Sequence, residues 1–300
     1  MAPNSPTTRG RPFVDHRRQW RELLYVYPVL ARRSKGLSIG VNLNHDKRCT
    51  FSCAYCQIDR QFKPPGHGVH LPTLRKELDA VLAEAASGGI WKEPRFAAAP
   101  PQMRRINDIA FSGDGEPTCV TNFDAAVAVA AEAKAAAKLK DVKIVVITNS
   151  SQLRSPQLQA ALPVLDANNG EIWAKLDAGS EQYFAKLNRP APGISLRGIL
   201  EGIADVARGR AIVIQSLFCA INGEGPGEAE IKAYCDRLAE ITRGSGQIKL
   251  VQVHTIARPP AEAYVSALSE RQLEEIARAV RQAVPQVTVE TYCGQVFTAP

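Results

Sequence analysis

The chain has 300 residues, 45% of them hydrophobic and 22% charged, enough to bury about three quarters of its unfolded surface in one core. A small disulfide-stapled scaffold is thereby excluded. The longest weakly charged run, Ala211 to Ile221, falls short of the roughly 18 apolar residues of a membrane span. The first twenty residues carry arginines and prolines but no apolar signal segment, so a cytoplasmic protein without membrane contact is expected.

Net charge is +7, of which +6 lies before residue 36, where eight basic residues face Asp15 and Glu22. Residues 1–35 read as a basic arm and residues 36–300 as one domain. The arm's arginines, interspersed with Trp20, Tyr25 and Tyr27, suit a phosphate backbone, a cover that holds a small anion at a cavity mouth, or a solvated tail. A nearly neutral remainder disfavours RNA as the partner and favours a small molecule.

Beyond the arm, β-branched apolar runs alternate with helical stretches. Strands are predicted over Leu37–Leu43, Asp108–Ser112, Val142–Thr148, Ile172–Leu176, Ala211–Phe218, Leu250–Thr255 and Val287–Thr291. Helices are predicted over Thr73–Ala86, Asn122–Lys140, Gln157–Leu165, Ser195–Ala207, Glu228–Ile241 and Glu270–Ala283. Ile90–Pro101 and Asn222–Gly227 read as surface excursions. Every strand but the last is followed by a helix, and right-handed crossovers curl such a series into an α/β fold, an open or partial (β/α) barrel.

Seven cysteines are present, and Cys49, Cys53 and Cys56 share one short loop after the first of these strands, spaced C-x3-C-x2-C. A structural zinc site wants four ligands in two pairs, and no second pair stands nearby. Three thiolates on one loop suit a [4Fe–4S] cluster with one iron left for a small molecule.

This loop, with Tyr55 before the last cysteine, resembles the signature of the radical S-adenosylmethionine (SAM) superfamily. Ser112-Gly113-Asp114-Gly115-Glu116-Pro117-Thr118 resembles that superfamily's glycine-rich element in its G-E-P-T form. The resemblance spans roughly residues 36–294 and implies a [4Fe–4S] cluster and SAM as cofactors. It also implies a reducing partner such as flavodoxin or ferredoxin, and reductive SAM cleavage to a 5′-deoxyadenosyl radical that abstracts hydrogen from a substrate. Gly115 and Glu116 are expected at the SAM amino group, Asn149 and Asp177 near its ribose or carboxylate, and Gln215 near its ribose or methionine end. His254 reads equally as an adenine-pocket residue or as a structural one.

The G-E-P-T, T-N-S and K-L-D succession is most similar to the branch containing tRNA wyosine-forming synthetases and other iron–sulfur oxidoreductases. Those synthetases carry a further cysteine group before the radical SAM loop, and residues 1–48 hold none, which disfavours tRNA modification. Cys119, Cys219 and Cys293 follow strand ends and read either as packing or as a thiol-lined catalytic site. Such a site would suit a soft acceptor such as trivalent arsenic, with aminocarboxypropyl transfer from SAM as the alternative reaction. An electron carrier or cluster sensor without catalysis is the remaining alternative. Cys235 reads as core.

Overall fold

The computed structural model describes residues 18, 20–31, 33, 35–58 and 68–293. Its strands are β1 (Val26–Ala31), β2 (Gly36–Val41), β3 (Ile106–Phe111), β4 (Lys143–Thr148), β5 (Glu171–Lys175), β6 (Ile212–Leu217), β7 (Cys219–Ile221), β8 (Ile248–His254), β9 (Val265–Ala267) and β10 (Thr288–Tyr292). Its helices are α1 (Leu71–Ala86), α2 (Pro94–Ala97), α3 (Phe123–Ala136), α4 (Pro156–Asp166), α5 (Glu181–Asn188), α6 (Leu196–Gly209), α7 (Glu228–Arg243) and α8 (Glu270–Ala283). One sheet runs β1-β2-β3-β4-β5-β6-β8-β10. All neighbours in it are parallel except β1, which pairs antiparallel with β2. The short β7 and β9 form a separate antiparallel pair.

The expected strand–helix alternation is thus present, and the barrel is partial. Among the described residues β1 and β10 exchange no ladder hydrogen bonds, yet side chains span the gap. Lys35, in the β1–β2 turn, reaches Glu290 at 3.1 Å, and Arg33 reaches the Nε2 atom of His254 at 3.5 Å.

The inner strands are buried on both faces, as expected where helices cover a parallel sheet. In α8, Leu273, Ile276, Ala277 and Val280 recur at helical spacing and are buried, while Ser269 and Gln272 close a capping box at its start. At the starts of α4 and α6 the Ser155 and Ser195 side chains accept from the N–H groups of Leu158 and Gly198. Trp173, Val145, Ala110 and Val213 form a distinct apolar cluster of inward-facing strand residues. Beside it the Glu171 carboxylate accepts from Lys143 at 2.8 Å, Lys249 at 2.6 Å and the Trp173 indole at 3.0 Å. Those three donors hold it below the usual carboxylate range despite burial.

Three differences from the sequence reading have physical causes. Residues 26–31, assigned there to the arm, form β1. Pro28 is accommodated within β1 because β1 is a sheet edge, where a missing N–H is tolerated. The approach to β1 is held by Glu77 of α1, whose buried carboxylate accepts from the backbone N–H groups of Leu24, Tyr25 and Val26 at 2.9, 2.8 and 3.1 Å. Residues 1–17 lie outside the described residues. The Ile90–Pro101 stretch is also no excursion, since Ile90 and Phe96 are fully buried and α2 lies within it. Finally, α5 escaped notice because it is only 8 residues long.

Among the described residues, no helix is long and apolar enough to cross a membrane.

Candidate functional site

A cavity of about 380 Å³ lies where the parallel strands end and the cysteine loop crosses over them, the face on which (β/α) barrels gather their chemistry. Its volume falls in the range of about 300–1,000 Å³ usual for small-molecule sites. Cys49, Cys53 and Cys56 all line it, as do Gly115, Glu116, Asn149, Gln215 and His254. Asp177, Cys119, Cys219 and Cys293 are not part of the lining.

The cysteine loop is pinned from both sides. The N–H groups of Ser52 and Ala54 donate to the carbonyls of Asn188 and Leu187 at 3.2 and 2.8 Å, and Ala191 donates to Thr50 at 2.8 Å. Two buried amides aim at sulfur: Asn149 Nδ2 lies 3.6 Å from Cys49 Sγ, and Asn188 Nδ2 lies 3.6 Å from Cys53 Sγ. Donors aimed at sulfur are what a metal-bound thiolate receives. Burial pushes the Cys53 thiol up to about 11, so metal ligation, which requires thiolate, would release its proton.

Among the described residues no three His, Cys, Asp or Glu side chains converge on a point fit for one metal ion. Ligands of a single zinc sit about 2.3 Å from it and hence close together. In a cubane each thiolate takes a different iron, and three cysteine thiols lining one cavity are the donor set such a cluster uses.

The glycine-rich turn departs from expectation in an instructive way. A Cβ added to Gly115 would overlap the Arg48 carbonyl oxygen and lie 2.7 Å from Asn44 Cβ, and one added to Gly113 would overlap the Asn42 side chain. The close approach Gly115 permits is therefore to Arg48, the residue before Cys49, and the Glu116 N–H donates to the Arg48 carbonyl at 2.9 Å. The Glu116 carboxylate is 2% exposed. It accepts from Thr118 Oγ1 at 2.5 Å, Thr148 Oγ1 at 2.7 Å and the Asn149 N–H at 2.6 Å. Burial raises its pKa while these donors oppose the rise. Most of its acceptor capacity thus ties the glycine-rich turn to the end of β4.

Glu116→Gln is consequently not the shape-neutral change its outline suggests. An amide NH2 must face at least one of these donors, and a buried unsatisfied pairing costs about 1–3 kcal/mol. Glu116→Gln is expected to lower thermal stability as well as SAM affinity, measured by scanning calorimetry and equilibrium binding. Unchanged unfolding would show that these hydrogen bonds contribute nothing net.

Asp177 is likewise spent internally. Its Oδ1 accepts from the Leu217 N–H at 2.9 Å, and its Oδ2 accepts from Asn188 at 2.9 Å and from the Tyr55 hydroxyl. Lys175 sits 3.6 Å from that oxygen and 4.6 Å from the Tyr55 ring centroid. The structure thus makes Asp177 the anchor of the aromatic residue in the cysteine motif, and does not bring it to the cavity as a ribose ligand.

Nor does the cavity gather the strand-end thiols. Cys219 is buried with Ala54, Tyr55, Leu187 and Val265, Cys293 packs against the main core, and Cys119 lies beside Glu116 and Thr50. Burial pushes Cys119 and Cys219 up to about 12, so both are neutral thiols. The shared thiol-lined site expected from their strand-end positions is not formed. Cys235 is buried in α7, as read from the sequence.

Gln215 donates to Gln252 Oε1 at 3.0 Å. His254 Nδ1 faces the Gln252 carbonyl at 3.3 Å, which assigns the ring proton to Nδ1 and leaves Nε2 as the acceptor toward Arg33. Burial and the nearby Arg33 charge hold its pKa well below the ordinary 6.5. His254 is therefore neutral when folded and protonates below about pH 6.5 when unfolded. The unfolded chain binds the extra proton there, so stability is lost as pH falls below 6.5, by up to about 1.4 kcal/mol per unit. His254→Gln should flatten the stability profile between pH 6.5 and 5, read by urea unfolding; an unchanged slope would refute the assignment.

Residues missed by the sequence reading are Ser38 and Asp108, a buried hydrogen-bonded pair in the lining, together with Trp173, while Lys175 of the K-L-D strand end and Tyr27 of the arm, singled out there without a site role, also line it. A polar residue at an inward strand position is the signal that would have found the first two.

No family model matches the chain. It is 25% identical over 241 residues to a UPF0026 protein of Methanocaldococcus jannaschii, covering 79% of this chain and 65% of that one. It is 28% identical over 170 residues to a UPF0026 protein of Synechocystis, covering 56% and 54%. The chain thus spans less than two thirds of the length of these relatives.

Among solved structures it superposes on a radical SAM methyltransferase from Sphaerobacter thermophilus with a TM-score of 0.59 at 13% identity, covering 90% of this chain and 69% of that one. SuiB of Streptococcus suis gives 0.55 at 14% identity, covering 89% and 53%, and that protein has also been solved with S-adenosylmethionine bound. Spore photoproduct lyase gives 0.54 at 12% identity, covering 91% and 80%. The fold is the one these radical SAM enzymes share.

Proposed function

We propose that this protein is a radical SAM enzyme that holds a [4Fe–4S] cluster on Cys49, Cys53 and Cys56 and acts on a small molecule in the cavity. The observation that carries the reading is that the three motif thiols, two receiving amide hydrogen bonds, line one cavity at the strand ends together with Gly115, Glu116, Asn149 and Gln215. When bound, the cluster supplies the electron that cleaves the SAM sulfonium.

The chain's own residues do the rest. Asn149 and Asn188 orient the thiolates, and Asp177 with Lys175 fixes Tyr55 and thereby the last turn of the loop. Glu116 holds the β4 end against the glycine-rich turn with acceptor capacity left over for an ammonium group. Gln215 and the neutral His254 present polar atoms that suit a nucleoside. The apolar cluster around Trp173 and Val145 closes the floor against water.

The test is to incubate reduced, cluster-loaded protein with SAM under anaerobic conditions. 5′-Deoxyadenosine is the expected product. 5′-Methylthioadenosine would instead indicate aminocarboxypropyl transfer, and neither product would mark an electron carrier.

A further inference from the structure

The cavity has a second charged feature, on the wall beside Cys56. Arg18, from the N-terminal segment, and Arg258, from the loop after β8, both line it. Each is held in place. Arg18 Nη1 donates to Asp114 at 2.6 Å. That carboxylate, in the middle of the glycine-rich turn, also accepts from Asn42 Nδ2 at 2.8 Å. The Arg258 carbonyl accepts from Gln57 at 3.2 Å, and three residues on, Ala261 donates to the Cys56 carbonyl at 3.1 Å. The loop bearing Arg258 is therefore strapped to the cysteine loop.

Among the described residues, the charges on this wall do not balance. Asp114 offsets Arg18, but among the described residues Arg258 has no carboxylate partner. Burial and the facing Arg18 push its pKa down to about 10, the mark of a cation that lacks a counter-charge. Among the described residues, the two arginines that line this wall share one paired carboxylate, that of Asp114 on Arg18, which leaves one positive charge without a counter-charge. A planar guanidinium fork is matched in two-point fashion by a carboxylate or a phosphate.

We propose that Arg258 and Arg18 form an anion clamp on the Cys56 side of the cavity, and that the substrate is a small molecule bearing a carboxylate or phosphate group. This rests on reading the cavity as the SAM-cleaving site, and it adds the substrate class and the residues that hold it. The clamp also gives a task to Arg18, one of the residues of the basic N-terminal stretch that line the cavity.

The experiment uses cluster-loaded protein saturated with SAM and measures uptake of radiolabelled inorganic phosphate, acetate and neutral acetamide by equilibrium dialysis. At least one anion should bind saturably at one site, with acetamide not retained; whichever anion binds tighter names the group. Arg258→Gln should weaken that anion tenfold or more, Arg18→Gln threefold or more, and Arg258→Lys less than Arg258→Gln, with SAM affinity unchanged in all three. Circular dichroism and iron content identify any variant that misfolds, and Arg258→Lys then carries the comparison.

The clamp is overturned if neither anion binds, if acetamide binds as well as acetate, or if Arg258→Gln costs the anion less than threefold. It is equally overturned if the anions compete with SAM and Arg258→Gln weakens both alike, because the arginine would then hold the SAM carboxylate. Failure of the underlying reading is seen separately, as unaltered protein that binds no iron or cleaves no SAM.

Discussion

Replacing Cys49, Cys53 or Cys56 singly with Ala is expected to abolish both iron retention and SAM cleavage. Each thiol lines the cavity, and a cluster left with two protein thiolates loses the chelation that holds it. Cys49 and Cys53 also receive amide hydrogen bonds from Asn149 and Asn188. In these two variants the amides keep their bonds to Thr50 and Asp177, and the fold should survive on its main core. The check is iron per protein after anaerobic reconstitution, read beside SAM turnover. Iron near the unaltered level in all three variants would remove the cluster from this loop, whereas Cys235→Ser and Cys293→Ser should keep full iron content.

Gly115→Ala is expected to be nearly as damaging, through contact alone. The added methyl group would occupy the space of the Arg48 carbonyl and lie 2.9 Å from the Arg48 carbonyl carbon. That is backbone, and it cannot rotate aside. Arg48 immediately precedes Cys49 and accepts the Glu116 N–H at 2.9 Å, so relief of the clash must move the cysteine loop or the glycine-rich turn. Overpacking of this kind costs about 1–3 kcal/mol, and the displaced loop should lose most of its iron. Gly227→Ala is the control, since a Cβ there meets nothing within 4 Å. Iron content and unfolding midpoint of the two variants decide the matter, and equal behaviour would show that the glycine is dispensable.

Local signals in the chain were sufficient for the seven parallel strands, the six longer crossover helices and the cysteine loop. Buried parallel strands read as continuous apolar runs, amphipathic helices carry their period in sequence, and a metal-binding loop keeps its ligands within a few residues of one another. The role of Pro28 was not legible, because a proline in an apolar run is tolerated or excluded according to whether the strand lies at an edge. Glu77 reads as one more solvated helix position until β1 brings its N–H groups within hydrogen-bonding distance.

The same limit governs the site. Glu116 and Asp177 were found as chemically capable carboxylates, but whether their oxygens face a ligand or a neighbour depends on partners 32 to 40 residues away, such as Thr148 and Leu217. Cys119, Cys219 and Cys293 occupy equivalent strand-end positions in sequence and unrelated environments in space, because the direction of a side chain after a strand ends is set by the loop and not by strand alternation. Arg18 and Arg258, 240 positions apart, meet at one wall of the cavity only because the sheet curls. Sequence by itself determined the parallel strands, the longer crossover helices and which residues can bear chemistry. Tertiary structure alone decided which of those residues share a space, since that depends on long-range contacts with no local signature.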